Sequence, residues 1–141
     1  MIRLKRNTAA LALLLAATMT LCLLSATWKN DQAFLYPDLS AFNNSTAKKR
    51  ACYVPEETVQ NMTTRALAET VMTYPFLVDM YAFDSPDLWF RQVQDLPMFQ
   101  ELLAREDGLK MLETEAAKEQ DTIRQMEYYN LIACVKRAQQ S

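Results

Sequence analysis

Three carboxylates, Asp79, Asp84 and Asp87, stand among or beside the seven aromatic residues that fall between Tyr74 and Phe99. Two carboxylates facing one bond can act as general acid and base, as glycoside hydrolysis requires. Aromatic walls would give such a site a face for sugars, peptides or cationic groups. The same residues have a plainer use. Asp84 and Asp87 flank Ser85-Pro86, where the start of a helix favours acids. Aromatic rings supply the largest apolar areas a small domain can bury, about 150–250 Å² each. Capping and core packing are therefore the favoured reading. Trp89 and Phe90 are neighbours on one helix and point about 100° apart, so one of the two is expected to reach the surface as a contact residue.

Other chemistry is narrowed by what the chain lacks. It has no histidine, which removes Ser-His and Cys-His dyads, histidine metal sites and histidine proton shuttles. It has one glycine in 141 residues, too few for a glycine-rich phosphate loop or a dinucleotide fingerprint. The acidic residues do not alternate around a central glycine as a calcium loop requires. Methionines are spread along the chain as core filler rather than grouped as metal ligands. No catalytic, cofactor or metal residue is assigned.

Arg3, Lys5 and Arg6 precede an uncharged run over residues 7–28, rich in Ala and Leu between positions 9 and 26. A basic start followed by an apolar stretch is an export signal, and cleavage is expected after Ala26. The run of 22 residues is also long enough to stay as a membrane anchor across about 30 Å of hydrocarbon. Three of the 15 basic residues lie in this segment, so the remainder carries 12 against 17 acidic side chains. A remainder of net charge −5 speaks against a nucleic-acid partner or an anionic membrane surface. Any membrane contact is expected only through the N-terminal segment, if it is uncleaved.

Export changes how the cysteines read. Cys22 lies in the signal, leaving Cys52 and Cys134 with 81 residues between them. In an oxidising compartment such a pair is expected to bridge, and closing that loop would add about 4 kcal/mol in the chain-entropy picture. The alternative is two buried thiols.

The elements that would position these residues are helical. Residues 27–51 read as a tether: Pro37, the run Asn43-Asn44-Ser45-Thr46 and the cluster Lys48-Lys49-Arg50 offer little to bury. Phe34, Leu35, Tyr36, Leu39 and Phe42 are the exceptions, able to dock on the domain or a partner. Pro55-Glu56-Glu57 suits a first helical turn. Thr63 or Thr64 caps the next helix, with Leu67, Val71 and Tyr74 on its apolar face until Pro75. Leu77, Met80 and Tyr81 keep helical spacing. Ser85 caps and Pro86 opens the following helix, and Pro97 opens another. Asp107 caps a long terminal helix with the apolar stripe Leu109, Leu112, Ala116, Ile123 and Met126, which packs back on the short ones and brings Cys134 toward Cys52; a break is available at Asp121-Thr122. No segment alternates long enough for a strand.

Several segments together resemble a known module. They are Cys52-Tyr53-Val54-Pro55-Glu56-Glu57, Asn61-Met62-Thr63-Thr64, Leu67-Ala68-Glu69-Thr70-Val71, Tyr74-Pro75-Phe76-Leu77, Tyr81-Ala82-Phe83-Asp84 and Leu102-Leu103-Ala104-Arg105-Glu106-Asp107-Gly108. Over residues 52–112 the chain resembles a helical module of exported proteins from gut-associated Firmicutes, one with no assigned reaction or ligand. The resemblance implies a bacterial envelope. The N-x-[ST] patterns at Asn43, Asn44 and Asn61 and the basic cluster at 48–50 then carry no eukaryotic glycosylation or processing role.

The expected protein is all-α: five or six helices over residues 52–138, behind a signal peptide or signal anchor (1–26) and a disordered tether (27–51). Its expected role is that of an exported, non-enzymatic interaction module with a protein partner in the envelope and no cofactor. Trp89, Phe90, Leu131, Ile132 and Val135 form the expected contact surface. Two alternatives stand beside it. One is a small envelope ligand-binding protein or enzyme using residues 74–99; the other is a membrane-anchored subunit that retains its N-terminal helix.

Overall fold

From Thr63 onward the α-helices except the one that starts at Gly108 begin at a capping side chain or a proline; Asp107, expected to cap that one, makes no capping bond. A computed structural model describes residues 29–140; the expected signal and Cys22 lie outside the described residues. Seven α-helices follow in order: α1 Ser45–Ala51, α2 Glu56–Gln60, α3 Thr64–Met72, α4 Pro86–Val93, α5 Pro97–Ala104, α6 Gly108–Ala116 and α7 Thr122–Gln139. Two 3₁₀ segments, Leu39–Ala41 and Leu77–Ala82, complete the set. Thr63 caps α3 by accepting from the Ala66 N–H, and Ser85 caps α4 by accepting from the Leu88 N–H, with Pro86 at the first turn. Asp121 breaks the last stretch into α6 and α7, accepting from the Ile123 and Arg124 N–H groups at 2.9 Å. Such side-chain acceptors satisfy donors that a helix start leaves open. Among the described residues the fold is all-α, with one isolated bridge between Asn30 and Met62.

The helix beyond the expected five or six is α1. Asn44 caps it by accepting from the Ala47 N–H at 2.8 Å, and Lys48, Lys49 and Arg50 fill its last turn. Cations there offset the negative end of the helix, so a cluster that looked like linker is compatible with helix.

Helix α3 is the centre of the core. It packs on α5 and α6, and Ala66, Leu67, Ala68, Thr70, Val71 and Met72 are all buried. A helix buried around most of its girth must satisfy any polar group it carries. Thr70 does so: its hydroxyl donates to the Ala66 carbonyl at 2.8 Å and accepts from the Phe34 N–H at 2.9 Å. That second bond belongs to residues 30–36, which lie across the domain in extended form. Phe34, Tyr36 and Leu39 pack against the core as their apolar character allows, while Leu35 points outward.

Helix α7 packs back on α4 and α6, pinned by Arg137–Asp87 and Lys136–Glu113 ion pairs, both at 2.7 Å. The stripe expected along the last stretch is correct through α6 but turns over in α7. Ile123 and Met126 are exposed at 65% and 52%, and Tyr128, Leu131, Ile132, Cys134 and Val135 face inward. The break at Asp121 resets the helical phase, so spacing counted from α6 cannot predict the buried side of α7.

The one glycine sits where α6 starts against the end of α5. A Cβ at Gly108 would stand 2.2 Å from the Leu102 carbonyl oxygen, a backbone atom unable to swing aside. Alanine is about 1 kcal/mol better than glycine inside a helix. Overpacking against backbone costs about 1–3 kcal/mol, and a contact this short puts the cost at the upper end. Gly108→Ala is therefore expected to destabilise despite its better propensity. Urea denaturation checks this, and an unchanged or raised midpoint would show that α6 can shift freely.

Candidate functional site

Tyr74, Trp89, Phe90 and Phe99 of the aromatic stretch build the core, whereas Tyr81 and Phe83 are exposed. Tyr36 packs on Tyr74, Tyr74 on Phe99, and Phe99 edge-on to both Trp89 and Phe90, with centroids 5.7–6.1 Å apart. Trp89 and Phe90 are both buried, at 2% and 3% exposure, which corrects the expectation that one reaches the surface. The reason is tertiary: α4 is covered by the Leu77–Ala82 segment on one side and α7 on another. Two neighbouring directions on the helix are thus both interior. Leu131, Ile132 and Val135 are buried as well, so none of the five expected contact residues forms exposed surface.

The carboxylates are not gathered into an acid-base pair. Asp79 and Asp84 are exposed, and Asp87 accepts from Nε and a terminal nitrogen of Arg137 at 2.8 and 2.7 Å. Among the described residues no group of three His, Cys, Asp or Glu side chains could hold a metal ion, and no helix is long and apolar enough to cross a membrane.

The cysteines are free, buried and apart, correcting the expected Cys52–Cys134 bridge. Cys52 belongs to the region of Tyr36 and Tyr74, whereas Cys134 faces α4 beside Asp87 and Phe90. Docking α7 along α4 and α6 turns Cys134 away from Cys52. Cys134 lines a groove of about 430 Å³ with Phe90, Arg91, Gln94 and Arg137. Burial, then the nearby Asp87 carboxylate, pushes its thiol up to about 11. Burial also raises the Cys52 thiol. A thiolate is the nucleophile, so both groups are held in the unreactive form at neutral pH. Thiol labelling without reductant is expected to be slow on the native chain and to find both cysteines free after denaturation. A pair that resists labelling until reduced would mean a bridge.

Two features were not anticipated. Arg105 has only 9% side-chain exposure. It donates to the Met62 and Val59 carbonyls at 2.8 and 3.1 Å and pairs with Glu101 at 2.9 Å. Its one local partner is Glu101; the carbonyls it holds lie more than 40 residues away. The second feature is an exposed apolar edge. Val78, Tyr81, Phe83 and Leu88 lie along the Leu77–Ala82 segment and the start of α4, and Ile123, Met126 and Tyr129 lie on α7. Val78 shares a groove with Arg124, Glu127 and Tyr128 of α7, and the three exposed apolar residues of that helix do not line it. Helix spacing of i, i+3, i+6 links the three α7 residues and was visible for Ile123 and Met126, but it was assigned to the interior. Compared with protein-family models, curated proteins and solved structures, the chain matches none.

Proposed function

We propose that this chain is an exported helical interaction module of a bacterial envelope that binds a protein partner through the apolar edge of α7 and the Leu77–Ala82 segment. One observation carries the reading. Helix α7 is apolar on two faces: Leu131, Ile132 and Val135 are buried, while Ile123, Met126 and Tyr129 stay 52–65% exposed. Large apolar side chains grouped on a surface mark interaction sites, whereas scattered ones do not. Export is supported by Arg3, Lys5 and Arg6 ahead of the uncharged run, and the resemblance over residues 52–112 agrees with an envelope location.

A photo-reactive residue placed at position 126 or 92 in the full chain, expressed in a bacterial host and fractionated, tests this. Gln92 is exposed on α4 and serves as the polar comparison. A discrete adduct in the envelope fraction is expected from position 126 and not from 92. Met126→Glu combined with a photo-reactive residue at 129 should abolish the adduct while changing stability by no more than about 0.5 kcal/mol, as for an exposed site. Adducts equal at both positions, or a chain confined to the cytoplasm with its N-terminus intact, would refute the reading.

A further inference from the structure

Residues 30–36 form a strap whose contacts belong to distant parts of the chain. The Asn30 N–H donates to the Asn61 carbonyl at 2.6 Å, and the Asn30 carbonyl accepts from the Thr63 N–H at 2.8 Å. The Asp31 carboxylate accepts from the Thr63 hydroxyl at 2.6 Å and the Arg65 guanidinium at 2.7 Å. The Phe34 N–H reaches Thr70 Oγ1, and the Tyr36 hydroxyl donates to the Thr70 carbonyl, both at 2.9 Å. Leu35, between the two inward rings, is 91% exposed. The joint that follows is held locally: Asp38 accepts from the Ser40 N–H, and Asn44 caps α1. Residues 37, 38, 40, 41, 43 and 44 of that joint are exposed.

The strap is thus read by backbone pairing, one carboxylate and two aromatic rings, the devices by which domains bind extended peptides. We infer that two copies of this chain exchange straps, the strap of each filling the cleft along α3 of the other. The occupant follows from the fit: the segment seated there already matches Arg65, Thr70 and Tyr74, and a second copy carries the same segment. Every strap contact in the closed monomer is remade across the pair, which is the basis of exchange between protomers. Concentration and the hinge then set the balance, since the intramolecular strap acts at a high effective concentration. Closed monomers prevail when dilute and exchanged pairs when copies are crowded.

The test uses full chains with Cys22→Ser. One carries Asp31→Cys and the other Thr63→Cys, two positions that touch in the structure. The chains are mixed at high concentration, warmed, cooled and treated with oxidised glutathione. The expected result is a reductant-sensitive band at twice the chain mass, growing with protein concentration and unchanged by Met126→Glu. Loss of the band with Met126→Glu would place the pairing on the α7 edge and overturn the exchange. No band in the mixture, while a chain with both cysteines closes an internal disulfide, overturns it as well. Sedimentation of the unsubstituted chain after the same treatment gives an independent readout. A monomer at every concentration overturns the inference, and a concentration-dependent dimer that Met126→Glu leaves intact supports it.

Discussion

Trp89→Ala is expected to lower stability by about 3–5 kcal/mol, the cost of emptying a large aromatic site in a packed core. Trp89 is 2% exposed and meets Phe99 edge-on at 6.1 Å. Its indole N–H donates to the Phe76 carbonyl at 3.1 Å. The ring therefore joins α4 to the segment leading into Leu77–Ala82. Alanine leaves a cavity and removes one of the two donors to that carbonyl, which keeps the Asp79 N–H at 3.1 Å. The cavity is therefore the main loss. Phe90→Ala is expected to cost less, near 3 kcal/mol, because Phe90 also lines the groove beside Cys134, which lets water or neighbouring side chains relieve the void. Urea and thermal unfolding of both variants check this. A loss under 1 kcal/mol for Trp89→Ala would mean that the indole does not fill the core.

Arg105→Ala is the second large effect, expected at about 3 kcal/mol. Removing one partner of a buried ion pair costs about 3–5 kcal/mol. Glu101 is 26% exposed and can recover some hydration, which places the figure at the low end. The arginine's structural task explains why the loss is still large. Helix α2 has five residues, too few to hold together by its own hydrogen bonds. The Arg105 fork takes the Val59 carbonyl at its end and the Met62 carbonyl just beyond, tying both to α5. Arg105→Lys keeps the charge but not the planar fork, so it should recover only part of the loss. Chemical denaturation of the two variants decides it. Equal stability of Arg105→Lys and the unsubstituted chain would show that charge alone matters.

These effects show where reading the chain by itself succeeds. Thr63, Ser85 and Asp121 announce helix starts because a cap bonds to a backbone N–H two or three residues away, and Pro97 does so because the first turn needs no donor from it. Leu67, Val71 and Tyr74 were placed in the core by helical spacing, and all three are buried. Such signals act within about one turn, so no partner element need be known. The helix expected to run to Pro75 ends earlier, at Met72.

The candidate site was less legible. Trp89 and Phe90 were separated by a rule about one helix facing one core, but α4 has neighbours on two sides. Leu131, Ile132 and Val135 were rightly grouped on one face of α7, yet the face they share looks inward. Ile123 and Met126 were assigned to the interior, and they are the residues left outside.

The chain by itself determined an all-helical protein, its helix starts, and a basic start with an uncharged run, because each depends on composition or on groups a few bonds apart. Only the tertiary structure decided that Cys52 and Cys134 stand apart, that Arg105 is buried, that residues 30–36 lie along α3, and that α7 turns Met126 outward. Each depends on which elements press on a helix from either side. That arrangement is set by the packing of residues 30 to 80 positions apart, about which local spacing carries no information.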